Sequence, residues 1–287
     1  ALVAGTIQSL ATDGPTITIQ SQGATIGALV NQTVGGGAIT VDGGTGAVDL
    51  GQLVSGSDAT VTADSITLSA GDIRGNLSLT STAGDISLTL DGASQILVGL
   101  STSLTSAGNI LLTHTNNTGG LVSLDSAGNI LAQADNAITS GAGSILSGNE
   151  VFILAGRDVD LADARAVPAL VITAGGRVTL ANATVTGPQG LSNVSGIRID
   201  TGLDPRSGSA YDNIANALIT GVISSYSGIT VNAGGRAEFA AGSQALAGDS
   251  IVVRTGDDII IGTGALLQSA RDTGLVFNPS APFGPTG

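Results

Sequence analysis

A short phrase returns along this chain with little variation and limits what it can fold into. It consists of a small polar residue, Ala, Gly, then Asp or Asn, then an Ile that opens an alternating apolar run. It reads Ser69-Ala70-Gly71-Asp72-Ile73, Thr82-Ala83-Gly84-Asp85-Ile86, Ser106-Ala107-Gly108-Asn109-Ile110 and Ser126-Ala127-Gly128-Asn129-Ile130. Looser copies follow at Ala155-Gly156-Arg157-Asp158-Val159, Ala174-Gly175-Gly176-Arg177-Val178, Asn232-Ala233-Gly234-Gly235-Arg236 and Thr255-Gly256-Asp257-Asp258-Ile259. Such recurrence marks a repeat architecture, and the period selects the class. The motif glycines Gly71, Gly84, Gly108, Gly128, Gly156 and Gly175 follow one another unevenly, with the shortest step from Gly71 to Gly84 and the longest from Gly128 to Gly156. Counted through to Gly256 the mean step is about 20, which suits one coil of a parallel β-solenoid, with the short step from Gly71 read as a second turn inside one coil.

The runs between the phrases alternate with a period of 2, as in Ile86-Ser87-Leu88-Thr89-Leu90, whereas helical repeats need a period of 3.6. One row of side chains therefore points inward and the Ser/Thr row outward. Gly-Asp and Gly-Asn are corners: Gly accepts positive φ, and Asp or Asn bonds the local backbone. Stacked corners would bring Asn109 and Asn129 into an amide ladder and keep Asp72 and Asp85 on hydrated turns. Ile73, Ile86, Ile110, Ile130, Val159 and Val178 are expected to form one continuous, laddered core.

Composition supports a narrow, dry interior. Aromatic residues are 2% of the chain and Gly 44 of 287 residues, so Ile, Leu, Val and Ala must fill the core. A net charge of −13 removes the basic face that nucleic-acid binding requires. All nine basic residues are Arg, which excludes chemistry needing a lysine amine, and the absence of Cys excludes disulfides, thiolates and cysteine metal sites. No apolar run is long enough for a transmembrane helix, and the first residues lack a basic leader, so an already removed leader or an interior slice is expected. At about 20 residues per coil the chain holds about 14 coils.

Residues 1–276 read as one shaft, with an irregular excursion at about 187–228 that carries both tyrosines. Tyr211, Tyr226 and Arg206 are the candidate recognition residues, since amphipathic rings on a loop suit binding. The strands near Val253 and Ile260 lack alternation and are expected to be buried on more than one side. Residues 277–287, with three of the seven prolines, read as a Pro-rich cap or linker.

For an enzyme, the richest carboxylate cluster is Asp158, Asp160 and Asp163, with Asp257-Asp258 second. Two of these on one side of a strand suit a hydrated cation or an acid and base pair. An outward acidic strand neutralised by Arg157 and Arg165 is the simpler reading. His114, the single histidine, sits in the polar string Thr113-His114-Thr115-Asn116-Asn117 and is expected to be exposed on a turn. No catalytic, cofactor or metal residues are assigned, and no cofactor is expected. A third class, a face of Thr-x-Thr rows that binds ice or crystalline glycan, fits Thr16-Ile17-Thr18 and Thr60-Val61-Thr62, but such pairs do not recur at every coil.

The Ser/Thr-Ala-Gly-Asn/Asp-Ile phrases, in a Gly-rich, Cys-free, acidic chain, resemble the repeats of filamentous haemagglutinin-like exoproteins, adhesins exported by two-partner secretion. The resemblance covers roughly residues 60–265. It implies a right-handed parallel β-helix, export in an unfolded state, and an extracellular stalk at the bacterial surface that projects binding regions. The family's Asn-Pro-Asn-Gly signature is not present, the nearest string being Asn278-Pro279-Ser280. The function expected is therefore a structural and adhesive fibre module rather than an enzyme, with a polysaccharide-processing β-helix enzyme as the alternative and a lattice-binding solenoid after it. The partners expected are further coils or copies joined end to end, and a host or surface glycan or protein. Neither nucleic acid nor membrane insertion is expected.

Overall fold

A computed structural model describes residues 1–9, 16–32, 37–187, 195–203, 214–270 and 275–279. Among them are 29 strands and no helix. These strands pair in parallel, each with its counterpart one coil away, so the chain is a β-solenoid of about 11 turns averaging about 22 residues. It forms two compact units, residues 1–135 with 139–148, and residues 136–138 with 149–287.

In the first unit each coil contributes strands to three columns. One runs from Leu2 to Ala24, Val48, Ile66, Ile86 and Ile110 in register. A second runs through Leu29, Leu53, Gly71, Ile96, Leu124 and Leu146. The third joins Ile17, Ile39, Ala59, Leu77, Thr102 and Ile130. Some coils give each column its own short strand, such as Ile66–Leu68, whereas in Ala24–Asn31 and Val48–Ser55 a single eight-residue strand runs through the first and second columns.

The inward rows make a continuous core. Ile26, Leu50, Leu68, Leu88 and Leu112 stand opposite one another in successive coils, and each is almost wholly buried. At a strand spacing of about 4.8 Å, aliphatic side chains of equal shape stack without gaps. The six residues expected to line one ladder are all buried but occupy different columns. Ile86 stands opposite Ile110, and Val159 opposite Val178, whereas Ile73 and Ile130 belong to the second and third columns.

The same geometry explains why the motif glycines understate the coil length and so overstate the number of turns. Register partners in the first unit lie as close in the chain as Val48 and Ile66, or as far apart as Thr102 and Ile130. The phrase is a local solution to a corner, and a coil has more than one corner. Gly108 donates its N–H to the carbonyl of Gly84, its neighbour in the next coil, while Gly128 donates to Leu100. Asn109 and Asn129 consequently sit on different corners and do not form the expected ladder.

Each position of the phrase has a job at its corner. The Ser106 hydroxyl lies 3.0 Å from the carbonyls of both Gly84 and Asn109 and accepts the Gly108 N–H at 3.2 Å. A Cβ on Gly108 would collide with the Gly84 carbonyl and the Asp85 carboxylate. Asp85 Oδ1 accepts both the backbone N–H of Asn109 at 2.7 Å and its side-chain amide at 3.0 Å. Asp58 does the same for Asn76, at 2.7 and 3.1 Å. The acidic corner residue thus caps an N–H of the adjacent coil.

His114 departs from expectation. It is buried, standing opposite Leu90 at an inward position of the strand Ile110–Thr115. The row Ile110, Leu112, His114 continues the inward alternation through the polar string. Nε2 donates to the Gly92 carbonyl at 3.0 Å, because a carbonyl only accepts, which leaves Nδ1 to accept from the Ser123 hydroxyl at 2.8 Å. Ser123 in turn accepts the Ile145 N–H at 3.1 Å.

In the second unit the three columns are continuous again. One joins Val159, Val178, Ala217, Ala237 and Ile259. Another joins Ala164, Ala183, Ile223, Ala245 and Leu267. The third joins Leu170, Ile197, Ile229, Ile251 and Leu275. The strands Gly196–Thr201, Ala217–Ile219 and Val222–Ser225 stand where the sequence leads one to expect strands flanking the excursion, at residues 195–199 and 217–223. Leu275–Pro279 pairs with Ile251–Thr255, so residues 277–279 end a strand instead of beginning the tail. Ile251–Thr255 alternates normally, and Ile259–Ile261 is partly exposed rather than doubly buried.

Candidate functional site

Tyr226 follows the strand Val222–Ser225 and is 63% exposed. Its backbone N–H is bonded to the Val185 carbonyl at 2.9 Å, so the ring stands on a fixed corner of the coil. Two residues back, Ser224 belongs to an outward row, in register with Thr184 on one side and with Leu246 and then Gln268 on the other. The positions equivalent to Tyr226 in the adjoining coils are Thr186, Gly248 and Ala270. Gly248 is obligatory, because a Cβ there would overlap the Tyr226 carbonyl. A large ring beside two small residues leaves a concavity.

That concavity is a groove of about 500 Å³ on the outer surface of the second unit. Its walls are Tyr226 and Leu246, and its rim carries Thr184, Thr186, Ser224 and Gln268. Among the described residues no charged side chain lines it. The backbone beneath is already committed, since Tyr226, Gly248 and Ala270 donate their N–H groups to Val185, Ser225 and Ala247, each at 2.9 Å. Only side chains and carbonyl lone pairs remain to meet a ligand. Of the three residues read as a recognition loop, Tyr226 is thus on a coil corner; Tyr211 and Arg206 lie outside the described residues.

The carboxylates weighed for catalysis do not converge. Asp158 Oδ1 accepts the Arg177 N–H at 2.7 Å, the same corner cap as Asp85. Asp163 is paired with Arg165 at 3.1 Å, as the neutralised-strand reading expects of that residue. Asp160 points outward, opposite Thr179 of the next coil. Among the described residues no three His, Cys, Asp or Glu side chains come together to hold a metal ion. The Asp91 carboxyl is held below the usual range by hydrogen bonds from the Asn116 amide at 2.7 Å and the Thr115 hydroxyl at 2.9 Å.

A second polar cluster lies on the third column of the second unit. Asp200, almost fully buried, accepts from Arg198 Nε and from the Asn232 amide, both at 2.7 Å, and Arg254 reaches Asn232 Oδ1 at 3.3 Å. Asp200, Asn232 and Arg254 are in register, so this is a side-chain ladder that ties three coils. Sequence reasoning missed it because Asp200, Asn232 and Arg254 each lie a full coil of chain from the next, and only the register brings them together. The groove was invisible for the same reason, although an isolated Tyr beside a Ser-rich strand was its one local signal.

No helix among the described residues is long and apolar enough to cross a membrane. Comparison with protein-family models, with curated proteins and with solved structures finds no match to this chain.

Proposed function

We propose that the protein is a structural and adhesive module of an extracellular fibre, a solenoid shaft at a bacterial surface that joins further coils at its end. The observation that carries this reading is the last described coil. Its inward rows are those of the coil before it, yet no described residue covers them. Phe277 stands opposite Val253 and is 39% exposed, and Ile261 stands opposite Phe239 and is 50% exposed, although Val253 and Phe239 are buried. Apolar rows with open strand edges are a template for the next strands. Either further coils of a longer polypeptide or a second copy stacked head to tail supplies them. The resemblance to filamentous haemagglutinin-like repeats supports the same reading, and so does the acidic surface, which keeps fibres apart sideways. The polysaccharide-processing alternative draws less support, because Asp158 and Asp163 are engaged in capping and pairing.

Sedimentation and negative-stain imaging of the 287-residue chain at neutral pH test this. End-to-end growth with concentration, abolished by Phe277→Asp and Ile261→Asp, is expected. A monomer at every concentration, with the backbone amides of residues 275–278 strongly protected from exchange, would falsify the proposal.

A further inference from the structure

We infer that the groove beside Tyr226 binds an uncharged oligosaccharide, with the Tyr226 ring as the platform under a sugar face. The inference rests on the adhesive reading above and names the ligand class for it. The first ground is the combination of surfaces: an exposed aromatic ring and Leu246 form apolar walls, and Thr184, Thr186, Ser224 and Gln268 place uncharged hydroxyl and amide groups around them. A sugar ring presents the matching pair, an apolar face of C–H groups and a rim of hydroxyls. Tyr supplies such a contact with few rotors to immobilise.

The second ground is charge. The chain carries a net −13, yet among the described residues the groove lining has no Asp, Glu or Arg. An anionic ligand would find no cation there, and a cationic one no carboxylate, so a neutral ligand is the complement.

The third ground disfavours a peptide. An extended peptide docks on a sheet through free backbone groups. Here the backbone donors under the groove are spent on the neighbouring coil. By contrast, the side chains of Thr184, Thr186, Ser224, Tyr226 and Gln268 have no hydrogen-bond partner among the described residues, whereas the corner residues Ser106, Thr201 and Ser81 are all bonded. Of these free groups, Thr184 and Ser224 are one coil spacing apart, roughly 4.8 Å, and Gln268 lies two coils beyond Ser224 with Leu246 between them. That arrangement suits a chain of linked rings laid along the coils. The volume lies within the range of small-ligand sites, about 300–1,000 Å³.

The test is a titration of the full chain with cellotriose, maltotriose, triacetylchitotriose and, as an acidic control, trigalacturonate, read by calorimetry and by NMR. Saturable binding of at least one neutral trisaccharide is expected, with shifts at Tyr226 and Leu246. Tyr226→Ala should weaken it about tenfold or more while leaving the unfolding midpoint unchanged, because the ring is exposed. Gln268→Ala should weaken it by a smaller factor. Binding that survives Tyr226→Ala overturns the site and leaves the adhesive reading standing. Preference for trigalacturonate overturns the ligand class. No binding of any trisaccharide at millimolar concentration overturns the inference, and the sedimentation result then decides separately whether the fibre reading survives.

Discussion

Ile110 and Leu111 are neighbours in one strand and should respond to a negative charge in opposite ways. Ile110 is buried, held between Ile86 of the adjoining coil and the core, and Leu111 stands opposite Ser87 on the outward row. Ile110→Asp loses the burial of an aliphatic side chain, about 3 kcal/mol. The new carboxyl has no partner in a dry core, so it must stay protonated. Holding a group of ordinary pKa near 3.9 neutral at pH 7 costs about 4 kcal/mol more. The two together approach the whole stability of an ordinary domain, about 5–15 kcal/mol. The folded pKa of the introduced group is raised, so its penalty is absent below the unfolded value and grows as pH rises. Acidification from pH 7 to pH 5 should restore about 2.7 kcal/mol. Leu111→Asp should stay within about 1 kcal/mol of the parent. Urea unfolding followed by far-ultraviolet circular dichroism suits a chain with two Tyr and no Trp. Should Ile110→Asp fail to fold at neutral pH, Ile110→Ala, with an expected loss of about 2–4 kcal/mol, carries the comparison. Equal effects at the two positions, or a pH-independent Ile110→Asp, would refute the register.

Two further outcomes follow from the polar groups. Ser123→Ala strands the Ile145 N–H and His114 Nδ1 together, so it should cost about 2–4 kcal/mol, and a double-mutant cycle with His114→Leu should show coupling of at least about 0.5 kcal/mol; strict additivity in urea unfolding would remove the relay. The Asp91 carboxyl is held down by Asn116 and Thr115, so its contribution is fully present above the unfolded carboxyl range and is lost as pH falls through the lower folded value. The gap in urea midpoint between parent and Asp91→Asn should therefore narrow between pH 5 and pH 2, and a gap that widens there contradicts it.

The strands were legible wherever alternation ran unbroken, as from Ile86 to Leu90, because a period of 2 fixes both the element and the buried row. The corners were legible as Gly-Asp and Gly-Asn. Which corner each phrase occupies was not, since Gly84 and Gly108 stack while Gly128 meets Leu100, and nothing local distinguishes them. His114 was misplaced because its Thr and Asn neighbours read as a turn, although its parity with Ile110 and Leu112 was already in the sequence. The groove depends on Thr184, Ser224, Leu246 and Gln268 meeting across whole coils of intervening chain, a relation that exists only once the coils close.

Val178 and Ala217 are partners in adjoining coils although the chain between them is about twice as long as that between Val159 and Val178. The faces on either side keep their register, so the added length is taken up between the strands. A fold of this kind separates two kinds of heredity. Residues on the faces answer to their counterparts above and below and must change in concert, whereas the passages that link the faces tolerate whole insertions. New features can thus be spliced in between the faces without renegotiating the core.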